Sequence, residues 1–152
     1  MDYSTVLEIS KTSFLIIIME QRKFKPFGNI SSLSLGGGGI GNVWGQTTRS
    51  ERVSTVSLAI ESGINHLDMA PMYGKGEAER VVREAFKELD HSAINLTTKC
   101  RLGTVTDSEV YNRLNNSLCR SLETMGVEKV NLFLLHSQLL EDDYQLPFFN
   151  EH

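Results

Sequence analysis

The sequence predicts an α/β fold: a short hairpin, then strands and helices in strict alternation with the strands parallel. Three observations carry this. Two capping boxes, Thr48-Arg49-Ser50-Glu51 and Thr106-Asp107-Ser108-Glu109, mark helix starts. Ala78, Val81, Val82, Ala85, Phe86 and Leu89 form one apolar stripe at helical spacing. Residues 130–136 read VNLFLLH, a nearly unbroken apolar strand of the kind buried on both faces of a parallel sheet. Strands alternating with helices imply right-handed βαβ units. A doubly wound sheet and a (β/α)8 barrel both satisfy that pattern.

The elements follow in order. Residues 21–24 and 30–33 are short extended runs, with Gly28-Asn29 between them as a hairpin turn. Residues 34–41 read SLGGGGIG, a strand running into a glycine-rich loop that continues to Thr47. The first helix opens at the Thr48 capping box, carries Val53, Val56 and Ile60 on one face, and stops at Gly63. Residues 64–69 (INHLDM) are strand-like, and Pro71 ends them. The Ala78–Leu89 stripe is the second helix, and residues 94–99 (INLTTK) are the third strand. The last helix carries Val110, Leu114, Leu118 and Leu122 on one face, and Gly126 ends it before the VNLFLLH strand.

Composition narrows the class. A chain of 152 residues suits one domain with a real core. With 40% apolar and 22% charged residues it reads as globular rather than disordered. The net charge of −4 is spread along the chain, with no basic block to grip nucleic acid. Cys100 and Cys119 cannot make a disulfide framework and fit no zinc spacing, so they read as free thiols of a reducing compartment. The apolar run from Phe14 to Met19 is too short to span a bilayer, and its flanks lack the pattern of a secretory leader. No membrane partner is expected, and the expected location is the cytoplasm.

Ligand sites on parallel sheets lie beyond the carboxyl ends of the strands. Four such ends carry reactive groups: Asp68, then Tyr73 five residues on, Lys99, and His136. Each has an ordinary explanation alone: a loop cap, a rim residue, a snorkelling lysine, a core histidine. Together they make chemical sense. An aspartate keeps a partly desolvated lysine charged, and a cation beside a phenol makes it a better proton donor. Such a phenol can give a proton to a carbonyl oxygen. An imidazole adds a second hydrogen bond to that oxygen.

The stretch GINHLDMAPMYGKGE (residues 63–77) resembles the signature of the aldo/keto reductase family, as do LTTK (96–99) and LFLLHS (132–137). Asp68, Tyr73, Lys99 and His136 match that family's tetrad in order and spacing. The resemblance runs from about Met19 to Leu140. It implies a barrel preceded by a small hairpin, an NADP(H) cofactor with NAD(H) as an alternative, and hydride transfer between that cofactor and a small-molecule aldehyde, ketone or alcohol. Tyr73 would be the general acid, Lys99 its tuner, Asp68 the partner of Lys99, and His136 the group that orients the carbonyl. Gly39, Ile40, Gln46 and Asp68 fall where the family touches the nicotinamide half of the cofactor. Met69 stands where the family has a small residue.

An eight-unit barrel of this kind needs roughly 300 residues. The fold expected here is therefore a partial TIM (β/α)8 barrel, about four βα units preceded by a short β-hairpin. Residues 1–18 are an N-terminal extension of unknown role, 19–140 the half barrel, and 141–152 a divergent tail. Activity is expected to be impaired, because the family's second half supplies the rest of the cofactor site. The alternative is a catalytically silent half barrel that binds or regulates a partner, or a fragment without activity. Open sheet edges would favour self-association in either case. Gly36-x-Gly38-x-x-Gly41 formally matches a dinucleotide fingerprint, but four consecutive glycines match it by default and the helix opens too late.

Overall fold

The structure is a computed structural model that describes residues 19–25 and 27–137. The expectations for residues 1–18 and 141–152 lie outside the described residues. A hairpin comes first: β1 (Gln21–Phe24) pairs antiparallel with β2 (Gly28–Ser31), Phe24 opposite Gly28 and Gln21 opposite Ser31. The reversal falls before Gly28, not at Gly28-Asn29. Gly28 adopts φ of 77°, which glycine tolerates without strain, so the second strand starts there, two residues early.

Four strands then make one parallel sheet: β3 (Leu35–Gly36), β4 (His66–Asp68), β5 (Asn95–Cys100) and β6 (Leu132–Leu135), in the order β3-β4-β5-β6. Each new strand is added beside the one before it. A doubly wound sheet starts near its middle and turns back, so this steady advance is the arc of a barrel.

The helices begin where local chemistry dictates. The glycine stretch is not wholly loop: Gly37–Ile40 closes one turn, α1, with Gly41 N–H donating to Gly37 O at 2.9 Å. In α2 (Arg49–Glu61) the Glu51 carboxylate accepts from Thr48 N–H at 2.7 Å, and the Thr48 hydroxyl accepts from Glu51 N–H at 3.3 Å. The α3 helix (Glu77–Ala85) ends earlier than its apolar stripe, yet Phe86 and Leu89 still pack on the core. In α4 (Asp107–Met125) Glu109 accepts from Thr106 N–H at 2.9 Å, and Gly126 ends the helix at φ of 70°.

The main core lies between the sheet and the helices, built on Val56, Leu67, Ala78, Val81, Val82 and Leu96. The β5 strand is buried along its whole length. The expectation for the last strand needs correction: β6 is half-buried, and Leu134 is 39% exposed. Among the described residues no strand pairs with the far edge of β6, and the strand is only partly buried. Among the same residues, no helix is long and apolar enough to cross a membrane.

Candidate active site

Alternation along β4 and β5 sorts the side chains. Leu67 and Leu96 enter the helix-side core, and Thr98 donates from its hydroxyl to Glu79 of α3 at 2.9 Å. Asp68 and Lys99 stand on the other face. Lys99 is 9% exposed, and its ammonium uses all three of its donors: to Asp68 Oδ1 at 2.6 Å, Met69 O at 3.0 Å and Tyr73 Oη at 3.2 Å. It also lies 4.9 Å from the Tyr73 ring centroid. His136 continues the β6 register, its N–H donating to Cys100 O at 2.7 Å. Its ring meets Tyr73 edge-on, with centroids 5.5 Å apart and planes at 86°. The four residues singled out from the sequence therefore form one cluster.

The loop carrying Tyr73 is held by backbone fit. Gly74, Lys75 and Gly76 all have positive φ. Gly37 lies under the ring: a Cβ there would be 2.8 Å from Tyr73 Cδ2 and 3.0 Å from Met69 Sδ. Gly41 lies against the Tyr73 carbonyl in the same way, at 2.9 Å. These two glycines form a close-packed seat for Tyr73. Met69 is fully buried and extends into the space that Gly37 leaves free, while its carbonyl accepts from Lys99.

The cofactor candidates are more dispersed. Gly39 is exposed, with nothing within 4 Å of the place a Cβ would take. Ile40 is 3% exposed, with its side chain in the core. Both border a depression of about 270 Å³ that also touches Gly36, Thr47 and Arg52. Gln46 is exposed on the next loop, which Asn42 Oδ1 pins by accepting from the N–H and hydroxyl of Thr47 at 3.2 Å. A larger hollow of about 570 Å³ runs from Pro71, Met72 and Lys99 along α4 between Glu109 and Arg120, and Tyr73, Asp68 and His136 do not line it.

Sequence reasoning passed over two polar groups. Glu79, 1% exposed, shares a buried network with Thr98 and Ser121, and burial raises its carboxyl against hydrogen bonds from both. His66 lies two residues before Asp68 on the same face; the spacing of two along a strand was the available signal.

Burial lowers the imidazole of His136, with Lys99 adding in the same direction and Asp68 opposing. Burial lowers that of His66 too, again with Asp68 opposing and Lys99 adding. Below the ordinary value of 6.5 the unfolded chain takes up these protons before the folded one does. Their contribution to stability is thus complete above pH 6.5 and is lost as pH falls through the lowered folded values. Glu79 has the opposite sign: its raised carboxyl is protonated first in the folded chain, so acid relieves it. In a Glu79→Gln background, where that term is removed, the thermal midpoint should fall from pH 7.5 to pH 5.5. A flat profile would contradict the assignment.

Comparison with known proteins agrees with the geometry. A sequence profile of the Aldo/keto reductase family matches residues 32–145. The chain is 29% identical over 134 residues to the NADH-specific methylglyoxal reductase of Escherichia coli (strain K12), covering 79% of this chain and 39% of that protein. It is 27% identical over 124 residues to the L-galactose dehydrogenase of Arabidopsis thaliana, covering 78% of this chain and 39% of that protein. Among solved structures, a thermostable aldo-keto reductase in complex with the inhibitor epalrestat superposes with a TM-score of 0.66 at 25% identity, over 88% of this chain and 49% of that one. An aldo-keto reductase from Klebsiella pneumoniae in complex with NADPH shares the fold, with a TM-score of 0.64 at 22% identity, over 80% of this chain and 40% of that one. The chain spans well under half the length of the curated relatives it matches. With this tetrad, this parallel arc and the profile match across most of its length, the chain belongs to the aldo/keto reductase family.

Proposed function

We propose that residues 19–140 form the nicotinamide and carbonyl side of an aldo/keto reductase-type oxidoreductase that transfers hydride between NADP(H) and an aldehyde, ketone or alcohol. The observation that carries this reading is the Lys99 ammonium held at once against Asp68, 2.6 Å, and Tyr73, 3.2 Å. A carbonyl oxygen placed against the Tyr73 hydroxyl would meet two polar groups. Tyr73 Oη gives it a proton, and the positive charge of Lys99 stabilises the phenolate left behind. Asp68 keeps Lys99 charged and aimed. His136, whose basicity burial lowers, would donate one N–H to the same oxygen and fix its direction. The nicotinamide, when bound, supplies the hydride.

The nicotinamide end would lie along Gly39 and the Ile40 backbone, with Gln46 and Asp68 beside it. The open space at Gly39 supports this, since a flat ring can approach the backbone there. NAD(H) is the alternative cofactor, as the name of the Escherichia coli relative says of that protein. The cytoplasm is the proposed location.

A second reading, a silent half barrel that binds a partner or a second copy, draws on the half-exposed β6 strand at the sheet edge. One experiment separates the two. Trp44, the single tryptophan, is 80% exposed on the loop after α1 and reports on this region. Its fluorescence is followed during titration with NADPH and with NADH, and oxidation of each is followed with a simple aldehyde present. Weak quenching and slow aldehyde-dependent oxidation are expected. No oxidation at saturating concentrations of either cofactor would count against activity of this chain and leave the silent readings, a partner-binding half barrel or a fragment without activity.

A further inference from the structure

We propose that His66 is a positioning residue for the Asp68–Lys99 pair, holding β4 and β5 at the spacing the pair needs through hydrogen bonds to Ser34 and Thr97. The inference rests on the reading of Asp68, Lys99 and Tyr73 as the reacting cluster. His66 Nδ1 lies 2.7 Å from Ser34 Oγ, and Nε2 lies 2.8 Å from Thr97 Oγ1. In the β4–β5 register Asp68 stands opposite Thr97, and His66 opposite Asn95. Both polar contacts are therefore diagonal, each reaching two residues beyond the direct partner: Asp68 to Lys99, and His66 to Thr97. The second is a copy of the first, one layer lower. Ser34 extends the layer to the residue before β3, and the Phe27 ring closes on the imidazole with centroids 5.8 Å apart.

This geometry ties three segments together directly under the pair. A neutral imidazole offers one donor and one acceptor, and each hydroxyl can play the complementary role. A protonated ring offers two donors, so one hydroxyl must turn from donating to accepting. The new positive charge also faces Lys99, which repels it, and Asp68, which attracts it. Two cations then compete for one carboxylate. Lys99 is thereby loosened from Asp68 in acid.

The test reads Lys99 itself, with no cofactor or substrate present. Reductive methylation of the chain is quantified by mass spectrometry, with the rate at Lys99 divided by that at exposed Lys75. Three proteins are compared from pH 7.5 down to the acid limit at which each still keeps its native circular dichroism: the unaltered chain, His66→Gln, which hydrogen-bonds without titrating, and His66→Leu, which does neither. Lys99 should be protected at neutral pH in the unaltered chain and in His66→Gln. In His66→Leu the relative rate should rise about tenfold, the factor that corresponds to one pKa unit. On acidification the ratio should rise in the unaltered chain and stay level in His66→Gln. Coincident pH profiles for those two would overturn the proposal, as would full protection in His66→Leu. Should His66→Leu not fold, the pH comparison decides alone. Protection that depends on His66 in a chain without turnover would count against activity of this chain while leaving the tie between His66 and the Asp68–Lys99 pair in place.

Discussion

Replacing Tyr73 by Phe is expected to lower carbonyl reduction by about 10²- to 10⁴-fold, the range a positioned general acid contributes. The substitution removes the hydroxyl that receives Lys99 at 3.2 Å and nothing else. The ring still fills the seat made by Gly37 and still meets the His136 edge, so the loop keeps its place. Lys99 loses one of three acceptors and retains Asp68 and the Met69 carbonyl. Cofactor binding, read from Trp44 quenching, should therefore stay near that of the unaltered chain while the rate of aldehyde-dependent oxidation falls. A variant that kept its full rate would remove Tyr73 as the proton donor. Lost quenching would instead point to a Tyr73 hydroxyl that serves the cofactor.

Gly74→Ala is expected to destabilise the fold by about 3 kcal/mol or more, from a strained left-handed backbone and overpacking together. Gly74 sits at φ of 62°, and a Cβ there would lie 1.9 Å from the Gly41 carbonyl oxygen and 2.8 Å from its carbon. The obstacle is backbone, so no side-chain rotation relieves it. The loop from Tyr73 to Gly76 must then part from the Gly37–Gly41 turn, and Tyr73 leaves its seat. Gly39→Ala is the control. Nothing lies within 4 Å of its Cβ and its φ is not positive, so stability should change by no more than about 0.5 kcal/mol. Denaturant midpoints of the two variants measure the contrast directly. A Gly74→Ala chain as stable as Gly39→Ala would mean that the two glycine turns are not packed together. Weaker Trp44 quenching by NADPH in the stable Gly39→Ala chain would support Gly39 as a cofactor contact.

Much of the architecture was legible because its signals are local. A capping box needs only a threonine and a glutamate three residues apart, so both helix starts could be read from Thr48/Glu51 and Thr106/Glu109. An amphipathic stripe needs only the helical period, and the Ala78–Phe86 stripe packs as its spacing requires. The tetrad was legible as four reactive residues at strand ends, because a parallel sheet gathers its ligand groups there. Where signals came from distant parts of the chain, the reading went astray. VNLFLLH carries the composition of a fully buried strand, but burial depends on what lies next to it, and β6 is only partly buried.

By itself, then, the sequence determined the order of elements and the helix starts, which follow from residue type and from spacings of two to four along the chain. Asp68, Tyr73, Lys99 and His136 were marked instead by their places at or after strand ends and by the family resemblance. The tertiary structure, through the strand order β3-β4-β5-β6, bears out the barrel that the family resemblance implied and that periodicity left open against a doubly wound sheet. It also revealed the glycines as a seat for Tyr73 rather than a phosphate cradle, found room for Met69 over Gly37, and exposed the His66 layer beneath the pair. The physical reason is separation along the chain. Lys99 reaches Asp68 across 31 residues, and Asn65 and Ser31 bond across 34. Nothing in the local spacing of side chains encodes a contact that exists only once the strands have paired.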